Sequence, residues 1–268
     1  MMGFDINYLL MVMLPGMALS GLASMMLKRT FSKYETVGTQ SNMTGAEAAK
    51  IMLERKGVTD CKIEAVSGRL VDHYDPRDKT LRLSEPVYNA RSVSAIGVAC
   101  HEAGHALQHA QGYRWLKMRS TLVPVTNISS KMSMPVIMVG GLLMAFVPVF
   151  GMPVLLLGCA LFAAAVLFSV VTLPVEWDAS ARAKTAMVDA GIVTSQEASG
   201  AGSVLNAAFL TYLASAIASI MTLLYYLHRT GVLRMLLSRR CSVVFSNLKP
   251  ICRLLDNYAV ISCAYLVE

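Results

Sequence analysis

Charge is scarce in this chain. Only 15% of its 268 residues are Asp, Glu, Lys or Arg, while 55% are hydrophobic, a balance too apolar for an ordinary soluble domain. Aromatic residues are few as well, at 7%. They do not interleave with basic residues, so the net charge of +7 carries no nucleic-acid recognition pattern. The six cysteines stand singly at 61, 100, 159, 241, 252 and 263, with no C-x-x-C pair. Free thiols in a reducing compartment therefore fit better than a disulfide framework. The chain has no internal repeat and no low-complexity tract.

What the chain does have is apolar sequence gathered into blocks. Four runs, residues 6–27, 134–150, 152–173 and 205–227, approach the ~20 residues that cross a ~30 Å hydrocarbon core as a helix. No basic residue precedes the first run, whereas Lys28, Arg29 and Lys33 follow it. That order predicts a retained anchor with its N-terminus outside, not a signal peptide. The second and third runs meet at Gly151-Met152 and carry Pro135, Pro148 and Pro153 without a charge, which predicts a tight helical hairpin. Residues 28–133 hold 16 Lys and Arg against 10 Asp and Glu. A basic excess beside membrane spans marks the cytoplasmic side, so this stretch and the loop 174–204 are expected to face the cytoplasm.

The expected architecture is a mainly α membrane protein with about four transmembrane helices and a small α+β, zincin-like cytoplasmic domain. Its segments read as an anchor (1–27), the cytoplasmic domain (28–133), a transmembrane hairpin (134–173), a cytoplasmic segment (174–204), a transmembrane helix (205–229) and a basic tail (230–268). Within the cytoplasmic domain, "GAEAAKIMLERKG" has a helical period and stops at Gly57. "CKIEAV", "GRLVDHY" and "TLRLS" read as strands, the last two joined through "DPRDK" as a hairpin. A long helix is expected from about residue 92 to 111, stopped by Gly112.

That helix carries "VACHEAGHALQHA", with three of the five histidines at four-residue spacing. Residues four apart on a helix lie on one face with a rise of ~6 Å, so His101 and His105 can share one ion through Zn–N bonds of ~2.0–2.1 Å. His109 lies ~12 Å along the axis from His101, too far to join them. Glu102 completes the H-E-x-x-H pattern, in which the glutamate is a general base and not a ligand. Chance produces such a match in about 0.3% of chains of this composition. From Val98 to Leu107 the only charged residue is Glu102, and a glutamate buried between two histidines is costly without a cation.

A catalytic zinc takes three protein ligands and leaves the fourth place to water. A metzincin would need Gly three residues and His six residues after His105, where this chain has Gln108 and Gln111. A carboxylate remains, the gluzincin-like solution. Glu176, in "LPVEWDASARAK" just after the third apolar run, is the first candidate, with Pro174 expected to start a helix there. Asp178 is its rival, although an i,i+4 pair with Arg182 accounts for it better.

These residues resemble a known family. "MTGAEAA", "DHYDPRDKTLRLSE", "VYNARSVSAIGVACHEAGHALQHAQGY", "LVPVTN", "TLPVEWDASARA" and "LNAAFLTYLASAIASIMTLLYYL" are similar, in order over about residues 4–229, to the membrane-anchored neutral zinc metallopeptidases of bacteria, the YugP-like family. The resemblance implies a zinc-dependent metalloendopeptidase of the bacterial cell membrane, with ligands His101 and His105, base Glu102 and third ligand Glu176. Members commonly have Phe-Asn where this chain has Trp177-Asp178, which keeps Asp178 open. The implied substrates are peptides or proteins, including misfolded membrane proteins, with the lipid bilayer as the other partner.

Other readings complete the set. "TLRLS" is expected to form a cleft edge that pairs with an extended substrate. His73 and Tyr74 either assist the oxyanion or fill the hairpin's inner face. His109 is expected to make a polar contact near the membrane surface. The tail carries Arg234, Arg239, Arg240, Lys249 and Arg253 on the side that span counting puts outside, against the charge rule. Its "NLKPICRLLD" offers Asp256 as a weak likeness to the third ligand of an intramembrane site-2-type protease. A non-catalytic zinc-binding membrane scaffold is the alternative to the peptidase, and Glu102 distinguishes them, since a pure binding site has no use for a base beside the metal.

Overall fold

The computed structural model describes residues 6–233 except Leu70. The tail from 234 on, with Asp256, lies outside the described residues. The chain divides into two compact units, Met1–Leu223 and Leu224–Glu268, and everything said of the site below belongs to the first. In chain order the elements are α1 (Ile6–Glu35), α2 (Gly45–Arg55), β1 (Lys62–Val66), β2 (His73–Asp75), β3 (Thr80–Ser84), α3 (Glu85–Asn89), α4 (Val93–Ala110), α5 (Arg114–Phe146), α6 (Pro148–Asp189) and α7 (Ser195–Arg229). The protein is a mainly α membrane protein with a small α+β part: α1, α5, α6 and α7 are each long and apolar enough to cross a bilayer.

Local chemistry explains the polar elements. α2 opens on a capping box, in which the Thr44 hydroxyl accepts the Glu47 N–H and the Glu47 carboxylate accepts the Thr44 N–H. Strand β3 is the middle of the sheet, parallel to β1 and antiparallel to β2. The cleft-edge reading of "TLRLS" is therefore corrected: both sides of β3 are occupied by neighbouring strands. The strand expected over "GRLVDHY" shrinks to His73–Asp75. Beyond His73 the Asp72 carboxylate accepts both the N–H and the hydroxyl of Ser84, so a side chain replaces the next rung of the ladder.

The helical hairpin is present, but its turn falls at Val147 and not at Gly151-Met152. Pro148 occupies the first turn of α6, where a missing N–H costs nothing. Pro174 does not start a helix. It lies inside α6, which runs unbroken to Asp189, so Glu176 is carried on the same rod as the third apolar run. The core packs α2, β3 and α4 against the last turns of α6 and the first of α7. Met52, Leu81, Leu83, Ile96 and Met187 are fully buried there, each stabilising by ~1.5–3 kcal/mol.

Candidate metal centre

α4 starts at Ser92, whose hydroxyl accepts the Ala95 N–H, and stops before Gly112, which takes a φ of +63°. His101 and His105 face α6, with ring centroids 4.9 Å apart and planes at 79°. Gly104 lies between them. A Cβ there would meet the Ala179 carbonyl oxygen at 2.6 Å, so only glycine lets the two helix backbones approach this closely. The approach brings up Glu176, which is only 2% exposed. Its Oε2 lies 3.1 Å from His101 Nε2 and 3.6 Å from His105 Nε2, and its Oε1 lies 3.3 Å from the Arg119 guanidinium of α5.

The far sides of the imidazoles are held too. His101 Nδ1 is 3.1 Å from the Ser180 hydroxyl, and His105 Nδ1 is 3.0 Å from Gln108 Oε1. The Gln108 amide nitrogen donates to the Val175 carbonyl and to the Asp178 carboxylate, both at 2.8 Å. Those two acceptors fix the amide's orientation and leave its oxygen facing His105. An amide oxygen only accepts, so the His105 proton sits on Nδ1 and the Nε2 lone pair points into the centre. Asp178 also pairs with Arg182, and it reaches His105 only through Gln108.

Among the described residues, His101, His105 and Glu176 offer ligand atoms within 4.8 Å of one another. Two imidazole nitrogens and one carboxylate oxygen are a donor set of catalytic zinc sites, with one position left over. The residues fit the ion chemically as well, since the His105 Nε2 lone pair faces the buried Glu176 Oε2 and a cation between them satisfies both.

Glu102 lines a cavity of about 140 Å³ together with His101, Glu176, Ser180, Asp72 and Tyr212. Its side chain is only partly covered because it faces this hollow, and burial pushes the carboxyl up to about 7. The other sequence candidates fall elsewhere. His73 is exposed and bonds the Val71 carbonyl, while the Tyr74 hydroxyl meets His109 Nδ1 at 2.8 Å. Sequence reasoning missed Asp72, Arg119, Ser180 and Tyr212, and treated Gln108 only as a missing glycine. Gln108 and Ser180 were findable, being one turn from His105 and Glu176 on the same faces. Arg119 and Tyr212 gave no local signal.

Four bilayer-length helices around a buried His-His-Glu cluster define a membrane protein with the donor set of a metallohydrolase. Comparison with known proteins gives the family. The family model described as "putative neutral zinc metallopeptidase" matches residues 9–231, and the chain belongs to that family. It is 45% identical over 210 residues, 78% of this chain and 91% of the relative, to the "putative membrane protease YugP" of Bacillus subtilis. No solved structure matches the chain.

Proposed function

We propose that the protein is a membrane-bound zinc metalloendopeptidase, gluzincin-like, with His101, His105 and Glu176 as zinc ligands and Glu102 as general base. The observation that carries this reading is the buried Glu176 carboxylate set against the Nε2 atoms of both histidines. Zinc bound there supplies a Lewis acid for the scissile carbonyl and lowers the pKa of a water toward ~7. Glu102 takes the proton of the attacking water on its carboxylate and returns it to the leaving amine. Its raised pKa matches that task, since a base near neutrality both accepts and releases a proton readily. Ser180 and Gln108 hold the imidazoles in register, and Arg119 engages Oε1 of Glu176, which leaves Oε2 as the oxygen that would hold the ion with them. The basic stretch 28–133 supports a cell-membrane topology with the centre facing the cytoplasm, where peptides and misfolded membrane proteins are the substrates.

The test compares the wild type with Glu102→Gln. Both are expected to retain equal zinc, while cleavage of an unfolded protein falls ~10²–10⁴-fold in the variant. Equal behaviour of the two, with zinc bound, would instead mark a non-catalytic scaffold.

A further inference from the structure

The membrane anchor contributes more than attachment. Ser24, Leu27, Phe31 and Glu35 recur at steps of three and four, so they share one face of α1. That face forms one wall of a chamber of about 520 Å³ whose opposite wall includes Pro86 and Val87. Leu27, Phe31 and Asp72 line both this chamber and the smaller hollow holding His101, Glu102 and Glu176. The two are thus neighbouring parts of one cleft. Two of the charges around the chamber, Glu35 and Arg69, pair with each other at 3.6 Å, and the Asp72 carboxylate accepts the N–H and hydroxyl of Ser84. Lys28 is exposed. The surface left for recognition is aliphatic and aromatic, and its volume is within the ~300–1,000 Å³ of ordinary ligand pockets.

We propose that this chamber is a specificity subsite that takes a large aliphatic or aromatic side chain of the peptide substrate beside the bond to be cleaved, with α1 as its wall. The proposal rests on the peptidase reading. It assigns the substrate class by chemistry: chains that present Leu- or Phe-like residues, as membrane-protein segments do, close to where α1 leaves its apolar run.

The test uses the full-length, zinc-loaded wild type in detergent and fluorescent peptide hydroxamates that differ only in the side chain next to the hydroxamate, namely Leu, Phe, Ala or Asp. Binding is read by anisotropy, with binding to zinc-stripped protein subtracted. The hydroxamate anchors every probe to zinc, so the differences report the subsite. Leu and Phe probes are expected to bind at least ~10-fold more tightly than Ala, with Asp weakest. Ser24→Trp, which fills the chamber from an exposed position, is expected to abolish most of that preference while leaving zinc content and the Ala probe unchanged. Phe31→Ala, which enlarges the chamber, is expected to move the preference from Leu toward Phe. Equal binding of Leu, Ala and Asp probes, or an unchanged preference in both variants, overturns the subsite and leaves the peptidase reading intact. Failure of every hydroxamate to bind zinc-loaded protein overturns both.

Discussion

The β2–β3 hairpin and the centre between α4 and α6 both concentrate charge, and they use it oppositely. In the hairpin Asp75, Arg77, Asp78 and Arg82 pair at the surface, where the Arg77 side chain is 87% and that of Asp78 46% exposed. Water screens such pairs, and holding two long side chains still offsets much of the attraction. At the centre Glu176 is 2% exposed and its oxygens are divided between Arg119 and the imidazoles. There each group depends on its partners, because a buried charge left alone is costly. Density of charge does not identify a functional site; enclosure of charge does.

The largest predicted effect follows from that dependence. Glu176→Ala removes the one carboxylate in the cluster and leaves the buried imidazoles and Arg119 facing each other. Loss of a partner from a buried ionic group costs ~3–5 kcal/mol, and zinc is expected to dialyse away from this variant under conditions where the wild type retains it. Elemental analysis after dialysis reads the outcome. Full zinc retention would place the ligand set elsewhere.

Next comes a pH effect in the metal-free protein. The Glu102 carboxyl is raised by burial from 4.5 to about 7, so the folded state keeps its proton over a range where the unfolded chain has lost it. The stability from this group is fully present below ~4.5 and is lost as pH rises through about 7, a change of ~3 kcal/mol by linkage. Denaturant titrations of zinc-free wild type are expected to show that slope, and Glu102→Gln to flatten it. Parallel curves for the two proteins would mean that Glu102 is better solvated than its enclosure implies.

How much of this could be read before the fold was known differs by element. The H-E-x-x-H turn declared itself because helical spacing alone stacks His101 above His105. Glu176 stands out in the sequence as the acid that directly follows the third apolar run. Pro174 does not begin a helix, and what presents Glu176 is an uninterrupted α6 brought against α4 at Gly104. Strand order was illegible, since "TLRLS" reads the same at an edge or in the middle. α1 looked like an anchor and nothing else, because a hydropathy pattern does not say which face of a helix a distant loop will cover. Arg119 reaches the centre only through tertiary packing, and no local pattern announces it.

Gln108 sharpens the contrast at one remove from the candidate ligands. Gln108→Leu keeps the volume but takes away the acceptor for His105 Nδ1 and the bridge to Asp178. Loss of such a supporting contact typically weakens metal affinity ~10–100-fold, and competition against a fluorescent chelator is expected to show a fall in that range. An unchanged affinity would mean that His105 needs no fixed tautomer.

The smallest effect belongs to the hairpin. Asp78→Asn breaks the ion pair with Arg82 and weakens its contact with the Thr80 N–H, yet Arg82 keeps Asp75 and Glu64 within reach. Zinc affinity and unfolding midpoint are both expected to stay at the wild-type values, read by the same chelator competition and by thermal melting. A drop in zinc affinity comparable to that of Gln108→Leu would show that the hairpin and the centre are energetically joined, through the Asp72–Ser84 contact that lies between them.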